Sequence, residues 1–185
     1  FPLLQEYANS YQGLVTGDNY RWVRYSWEIN QLTNRWSYLQ STVGKSNFYG
    51  GRESIIDWLS QGKEMARLQG ISAWGNKGII VSLIGNLPST NYTGEIFDIN
   101  VSAIIPKNPY HLSAIWAFCS SPKFNNAVRT IDQKLNITIA TLTKIPFDLS
   151  HWQKVAEEMG PLPEPHSDDP TQWIFHGHPC GSVIW

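Results

Sequence analysis

At 185 residues, 42% of them hydrophobic, the chain is long and apolar enough to bury the core of one domain, which excludes a disordered protein. No apolar run reaches the roughly 20 residues of a membrane-spanning helix, and no secretory signal is visible. The net charge of −1 divides unevenly: residues 1–147 carry 13 Lys and Arg against nine Asp and Glu, and residues 148–185 carry Lys154 alone against six acids. A mildly basic body with an acidic tail is compatible with nucleic-acid binding. The chain begins at Phe1 rather than Met, so it is expected to be a piece of a longer protein. Cys119 and Cys180 lie far apart; one disulfide would be allowed, but reduced thiols of a cytoplasmic protein are the favoured reading. The sequons at Asn91, Asn100 and Asn136 are then chance matches.

Along the chain, the first signal is Gln12 to Arg24. Thr16-Gly17-Asp18-Asn19 reads as a tight polar loop, since Gly17 permits positive φ and Asp18 and Asn19 favour turns. Residues 21–29 then alternate. Val23, Tyr25, Trp27 and Ile29 fall on one face of a predicted strand, with Arg24, Ser26 and Glu28 on the other. A rigid strand that presents Arg21 and Arg24 beside a loop suits a phosphate or a base edge. An ordinary strand with surface arginines would look the same.

Residues 35–39 read as a second strand and 44–51 as a loop. Glu53–Leu59 reads as a short helix, and 62–69 as helical between glycines. Ile71 to Ile84 reads as a hairpin about Gly75-Asn76-Lys77-Gly78, with the apolar run 79–84 as a buried strand. Residues 95–97 and 101–105 read as further strands. Asn108-Pro109 and Ser121-Pro122 each read as a helix start. The apolar stripes that follow are Leu112, Ile115, Trp116, Cys119 and then Phe124, Val128, Ile131, Leu135. Residues 136–145 read as a strand. Ser150 with Gln153 reads as the capping box of a third helix. The domain is therefore expected over 1–159, with 160–185 a proline-rich acidic tail or linker.

Catalytic signals are weak. Asn108-Pro109-Tyr110 lacks the second proline of an adenine-methylating motif and caps a helix. Asp132-Gln133-Lys134 lacks the upstream acid of a nuclease motif. His176-Gly177-His178-Pro179-Cys180 has metal-ligand types but no evident fourth ligand, so no metal is expected. Gly-rich phosphate loops and nucleophile elbows are absent. Nine Trp and eight Tyr exceed what a core of this size needs, so some are expected on a binding surface.

Several blocks together resemble a known family. Gly13 to Arg24 looks like its "Gly-Leu-x-Thr-Gly-Asp-Asn-x-Arg-Phe-x-Arg" block. Phe48-Tyr49-Gly50-Gly51-Arg52-Glu53 and Gly94-Glu95-Ile96-Phe97-Asp98 are similar to two others. Leu135-Asn136-Ile137-Thr138 through Lys144-Ile145-Pro146-Phe147 resembles its closing block, and Asp168 to Gly177 resembles a downstream stretch. The family is the target-recognition (TaqI-like specificity) domain of class I S-adenosylmethionine-dependent DNA adenine-N6 methyltransferases of bacterial restriction–modification systems. The resemblance implies an α+β fold. It would have one twisted, mostly antiparallel sheet with DNA-facing loops, braced by a helix pair and a C-terminal helix. It implies double-stranded DNA as partner, an upstream methyltransferase domain of the same polypeptide as neighbour, and S-adenosylmethionine held there rather than in this chain.

On that reading the DNA-binding residues are Thr16, Asp18, Asn19, Arg21, Arg24, Lys45, Tyr49, Arg52, Trp74, Asn76, Lys77 and Thr90. Base readout is expected on the loops around 49–52, 74–77 and 89–91, where Arg or Lys suits guanine and Asn suits adenine. The competing readings are a carbohydrate-binding module and a protein-interaction domain. The two proline-started helices count against the first of these.

Overall fold

The computed structural model of the chain describes residues 1–31 and 33–172. Its strands are β1 Ala8–Gln12, β2 Val23–Tyr25, β3 Trp36–Gln40, β4 Ser54–Asp57, β5 Gly78–Ser82, β6 Ser89–Tyr92, β7 Ile96–Phe97 and β8 Val101–Pro106. Its α-helices are α1 Asn19–Trp22, α2 Leu112–Cys119, α3 Pro122–Ile131 and α4 Leu149–Met159. The class is α+β, as expected, but the strands form two sheets rather than one. One is antiparallel throughout, in the order β1-β8-β5-β6; the other runs β2-β4-β3-β7 and is parallel only between β3 and β7.

Both faces of the first sheet are covered. Ile79, Val81 and Ile104 point into the main core with Ile115, Phe118, Phe124 and Trp152 from the helices. Their neighbours Ile80, Val101 and Ala103 point the other way, onto Tyr92 and Phe97. This period of two is what a buried strand gives, and it explains the uninterrupted apolar run of β5. Each fully buried Ile or Phe contributes about 1.5–3 kcal/mol. The second sheet has its own small core of Leu14, Trp22, Leu39, Ile56, Met65 and Ile96, and Trp74 packs against both this core and the reverse face of the first sheet.

Several local expectations are corrected. The strand over 21–29 is real only at 23–25, because Asp18 caps a helical turn that carries Trp22 into the core. Residues 53–59 hold strand β4, not a helix. Residues 62–69 form turns, joined by a bridge between Val15 and Arg67. The 71–84 hairpin does not exist: 71–73 is a 3-10 turn, and β5 pairs with β6 and β8 instead. Residues 139–143 form a 3-10 turn rather than a strand, folded over the Asp132 carboxylate, which accepts from the Thr138 amide at 3.0 Å. Ser121-Pro122 starts α3 as expected, whereas Asn108-Pro109 starts a 3-10 turn, Pro109–His111, that runs directly into α2. The third helix is capped by Asp148, not by Ser150. Its Met159 is exposed, as are Ile131 and Leu135 at the end of the second stripe.

Candidate nucleic-acid interface

The stretch 13–24 is held at three levels. Gly13 lies against the chain at Asp98 so closely that a Cβ would sit 1.9 Å from the Asp98 carbonyl oxygen, and Leu14 N–H donates to the Phe97 carbonyl at 2.9 Å. Val15 and Arg67 exchange two backbone hydrogen bonds, both 2.9 Å. The Thr16 hydroxyl then bonds the Asn19 side-chain oxygen, and the Asp18 carboxylate accepts the Arg21 amide at 3.2 Å. Gly17 takes a φ of +79° at the bend. The outcome is a fixed ledge on which Asp18, Asn19, Tyr20 and Arg21 are exposed, Tyr20 almost completely.

Arg24 lies beneath this ledge. Its Nη1 donates to the Tyr20 carbonyl at 2.6 Å and to the Val23 carbonyl at 2.8 Å. Its other guanidinium nitrogens have no hydrogen-bond partner among the described residues. Arg21 differs: it lies over the Trp22 ring and pairs with Glu64 at 3.1 Å, both side chains more than half exposed. Beside Arg24 opens a hollow of about 550 Å³, lined by Asn19, Tyr20, Tyr25, Glu28, Asp98 and Asn100 among others. Tyr25 stacks face to face on Trp27, with ring centres 4.5 Å apart and planes 5° apart. Both rings are more than half exposed.

The electrostatics of the hollow are mixed. Burial raises the Asp98 carboxyl above its ordinary value, against the pull of hydrogen bonds from Ser41 and Asn100. Asp57, in the neighbouring strand, is resisted by burial but held low by Arg35, which donates to it through Nε at 2.9 Å and Nη2 at 2.7 Å.

Other expected site residues lie apart. Arg52 is wholly buried. It donates to Glu95 Oε1, the carbonyls of Gly50 and Asn91 and the Thr93 hydroxyl, and it lies over the Tyr49 ring at 3.8 Å. Thr90 is also wholly buried, in β6, where its hydroxyl accepts the Gly50 amide at 3.0 Å. The loop expected over 89–91 is this strand. Neither Arg52 nor Thr90 can reach a base edge; both hold the 48–53 segment in place, and Tyr49 is half-buried with them. Trp74 is half-buried too, edge-on to Trp58 at 5.6 Å. Asn76 and Lys77 are exposed in the loop before β5, and Lys45 is exposed in the connection between β3 and β4. None of these three lines the hollow.

Tyr25, Trp27, Asp98 and Asn100 were missed. The alternation over 23–29 assigned both aromatics to an apolar face, and nothing local links 98–100 to residue 24. Among the described residues no group of three or more His, Cys, Asp or Glu could hold a metal, and no helix is long and apolar enough to cross a membrane. The His176–Cys180 stretch and Trp173 lie outside the described residues. Cys119 is buried, and burial pushes its thiol up, which disfavours the thiolate a nucleophile needs. Residues 160–169 run without regular structure; 170–172 make a 3-10 turn that returns to the second sheet. There the Tyr38 hydroxyl donates to the Gln172 carbonyl at 2.9 Å, and the Ser26 and Thr171 hydroxyls lie 2.9 Å apart.

No family model and no curated protein matches the sequence. Among solved structures, this chain is similar in fold to the HsdS subunit from Thermoanaerobacter tengcongensis, with a TM-score of 0.50 and 8% sequence identity. The similarity covers 85% of this chain and 35% of that one, so the chain spans about a third of the subunit's length. At this identity what the two share is the fold.

Proposed function

We propose that this chain reads the sequence of double-stranded DNA as part of a restriction–modification protein. The observation that carries the reading is the fixed ledge at 16–24. It presents the exposed Asp18, Asn19 and Tyr20 side chains with Arg24 beside them, on a backbone pinned by Gly13 and by Arg67. Sequence readout needs such groups held at a base edge, while neighbouring cations hold the phosphates. The likeness in fold to an HsdS chain, a type I restriction–modification specificity subunit, supports it.

The contact set on this reading is Asp18, Asn19, Arg21 and Arg24, with Lys45, Asn76 and Lys77 as outlying contacts; Thr16, buried with its hydroxyl on the Asn19 side chain, serves by positioning Asn19. Arg52 and Thr90 serve by fixing the loop. The finer reading rests on the resemblance of the sequence blocks. It places adenine-N6 methyl transfer and S-adenosylmethionine in an upstream domain of the parent polypeptide, in the cytoplasm. This chain then supplies the address and not the chemistry.

Fluorescence anisotropy with a labelled duplex at rising salt tests the reading. Affinity is expected to fall linearly on a log–log plot, with a slope of a few released ions. Binding to an oligosaccharide panel with none to duplex DNA would replace it with the carbohydrate reading.

A further inference from the structure

Resting on the DNA reading, we infer that the hollow beside Arg24 accepts a single unpaired nucleobase, stacked on Tyr25. Duplex reading alone does not require such a site. It requires edges in a groove, whereas this hollow is bordered by Tyr25, one ring of a stacked aromatic pair.

Three observations carry the inference. The first is the Tyr25–Trp27 stack. Tyr25 lines the hollow and Trp27 does not, so Trp27 backs the ring that borders the space. The two rings, each more than half exposed and stacked with centres 4.5 Å and planes 5° apart, form a platform that a third planar ring extends.

The second is that the platform is fixed before any ligand arrives. Tyr25 N–H donates to Glu28 Oε2 at 2.6 Å, and Ser26 N–H donates to the Glu53 carbonyl at 2.8 Å. The buried Ser26 hydroxyl is held by Thr171. The turn that carries both rings is thus tied to β4, to itself and to the returning C-terminal segment.

The third is the lining chemistry. Glu28 and Asp98 both line the hollow, which disfavours a phosphate inside it. Amides and hydroxyls from Asn19, Asn100, Ser41 and Ser54 offer donors and acceptors suited to a neutral heterocycle. Arg24, whose remaining guanidinium nitrogens have no hydrogen-bond partner among the described residues, is placed to hold the phosphate that flanks the base.

The test compares a fully paired duplex with the same duplex carrying one bulged 2-aminopurine. Each is titrated with the unaltered chain, Tyr25→Ala and Tyr25→Phe, after thermal unfolding confirms that the variants fold. The bulged probe is expected to bind about tenfold tighter than the paired one, with its fluorescence quenched on binding. Tyr25→Ala is expected to abolish that preference and keep paired binding; Tyr25→Phe is expected to retain the preference. Equal affinity for both probes overturns the inference and leaves the DNA reading standing. A preference that survives Tyr25→Ala overturns it as well. Binding to neither probe overturns both.

Discussion

Arg52 and Glu95 form an ion pair inside the protein. Arg52 Nε donates to Glu95 Oε1 at 3.1 Å, with the arginine side chain wholly buried and the glutamate 15% exposed. The pair joins the segment before β4 to the turn before β7, and the Tyr49 ring covers it. A cation that looked like a base reader is the internal brace of the loop.

Removing one partner of such a pair leaves an unpaired buried charge. Arg52→Met is expected to cost about 3–5 kcal/mol. Burial resists the Glu95 charge, but Arg52 and Thr93 hold its carboxyl below the ordinary value. Its contribution to stability is therefore present above about pH 4.3 and lost as pH falls through the lower folded value. In Arg52→Met the lowering partner is gone and burial remains, so the variant should gain stability on acidification. Denaturant unfolding of both proteins across that range checks the sign.

Gly13 is the tightest point of the ledge. Gly13→Ala places a Cβ 1.9 Å from a carbonyl oxygen, and backbone must move. The expected loss is at least about 1–3 kcal/mol of stability, with exchange protection lost first at the Leu14 and Val15 amides. Hydrogen exchange reads that order; uniform loss over the chain would speak against a locally pinned ledge.

Which parts were legible follows from where their partners lie. The start of α3 and of the 3-10 turn that leads into α2 were legible because a proline at the first turn acts within one segment. Strand β4 was not: Ile55, Ile56 and Leu59 have helical spacing, yet Ile55 and Ile56 are both wholly buried because both faces of that strand are covered. The 136–145 segment is rich in Thr and Ile, but the Asp132 carboxylate several residues away folds it into a 3-10 turn. In the site, the Thr16–Asn19 turn was read from its own residues. The hollow was not, since Asp98 and Asn100 reach it through the pairing of β3 with β7. Nothing local marks Arg52 as buried.

Arg21 and Arg24 differ in what each offers to a phosphate. Arg21 is already paired with Glu64, whereas Arg24 has no acidic hydrogen-bond partner among the described residues. Arg24→Ala should weaken duplex binding and lower the salt slope by about one. Arg21→Ala should do less, and Glu64→Ala should tighten binding by freeing Arg21. Three anisotropy series at stepped salt separate these outcomes.

Asp98 makes the opposite pH prediction to Glu95. Its folded-state carboxyl is raised by burial, so its stabilising contribution is full below about pH 4 and lost as pH rises through the raised value. Asp98→Asn should therefore be more stable than the unaltered chain at pH 7, and the gap should close on acidification. Melting temperatures of the pair at several pH values decide it.

Selection from a random duplex pool tests the central claim most directly. The chain is bound to the pool at moderate salt, and the retained duplexes are sequenced over several rounds. The account predicts enrichment of one short sequence, with Asn19→Ala relaxing the preference and Arg24→Ala weakening binding evenly across sequences. A pool that emerges without any enriched sequence, or enrichment that Asn19→Ala and Arg24→Ala both leave intact, would contradict it.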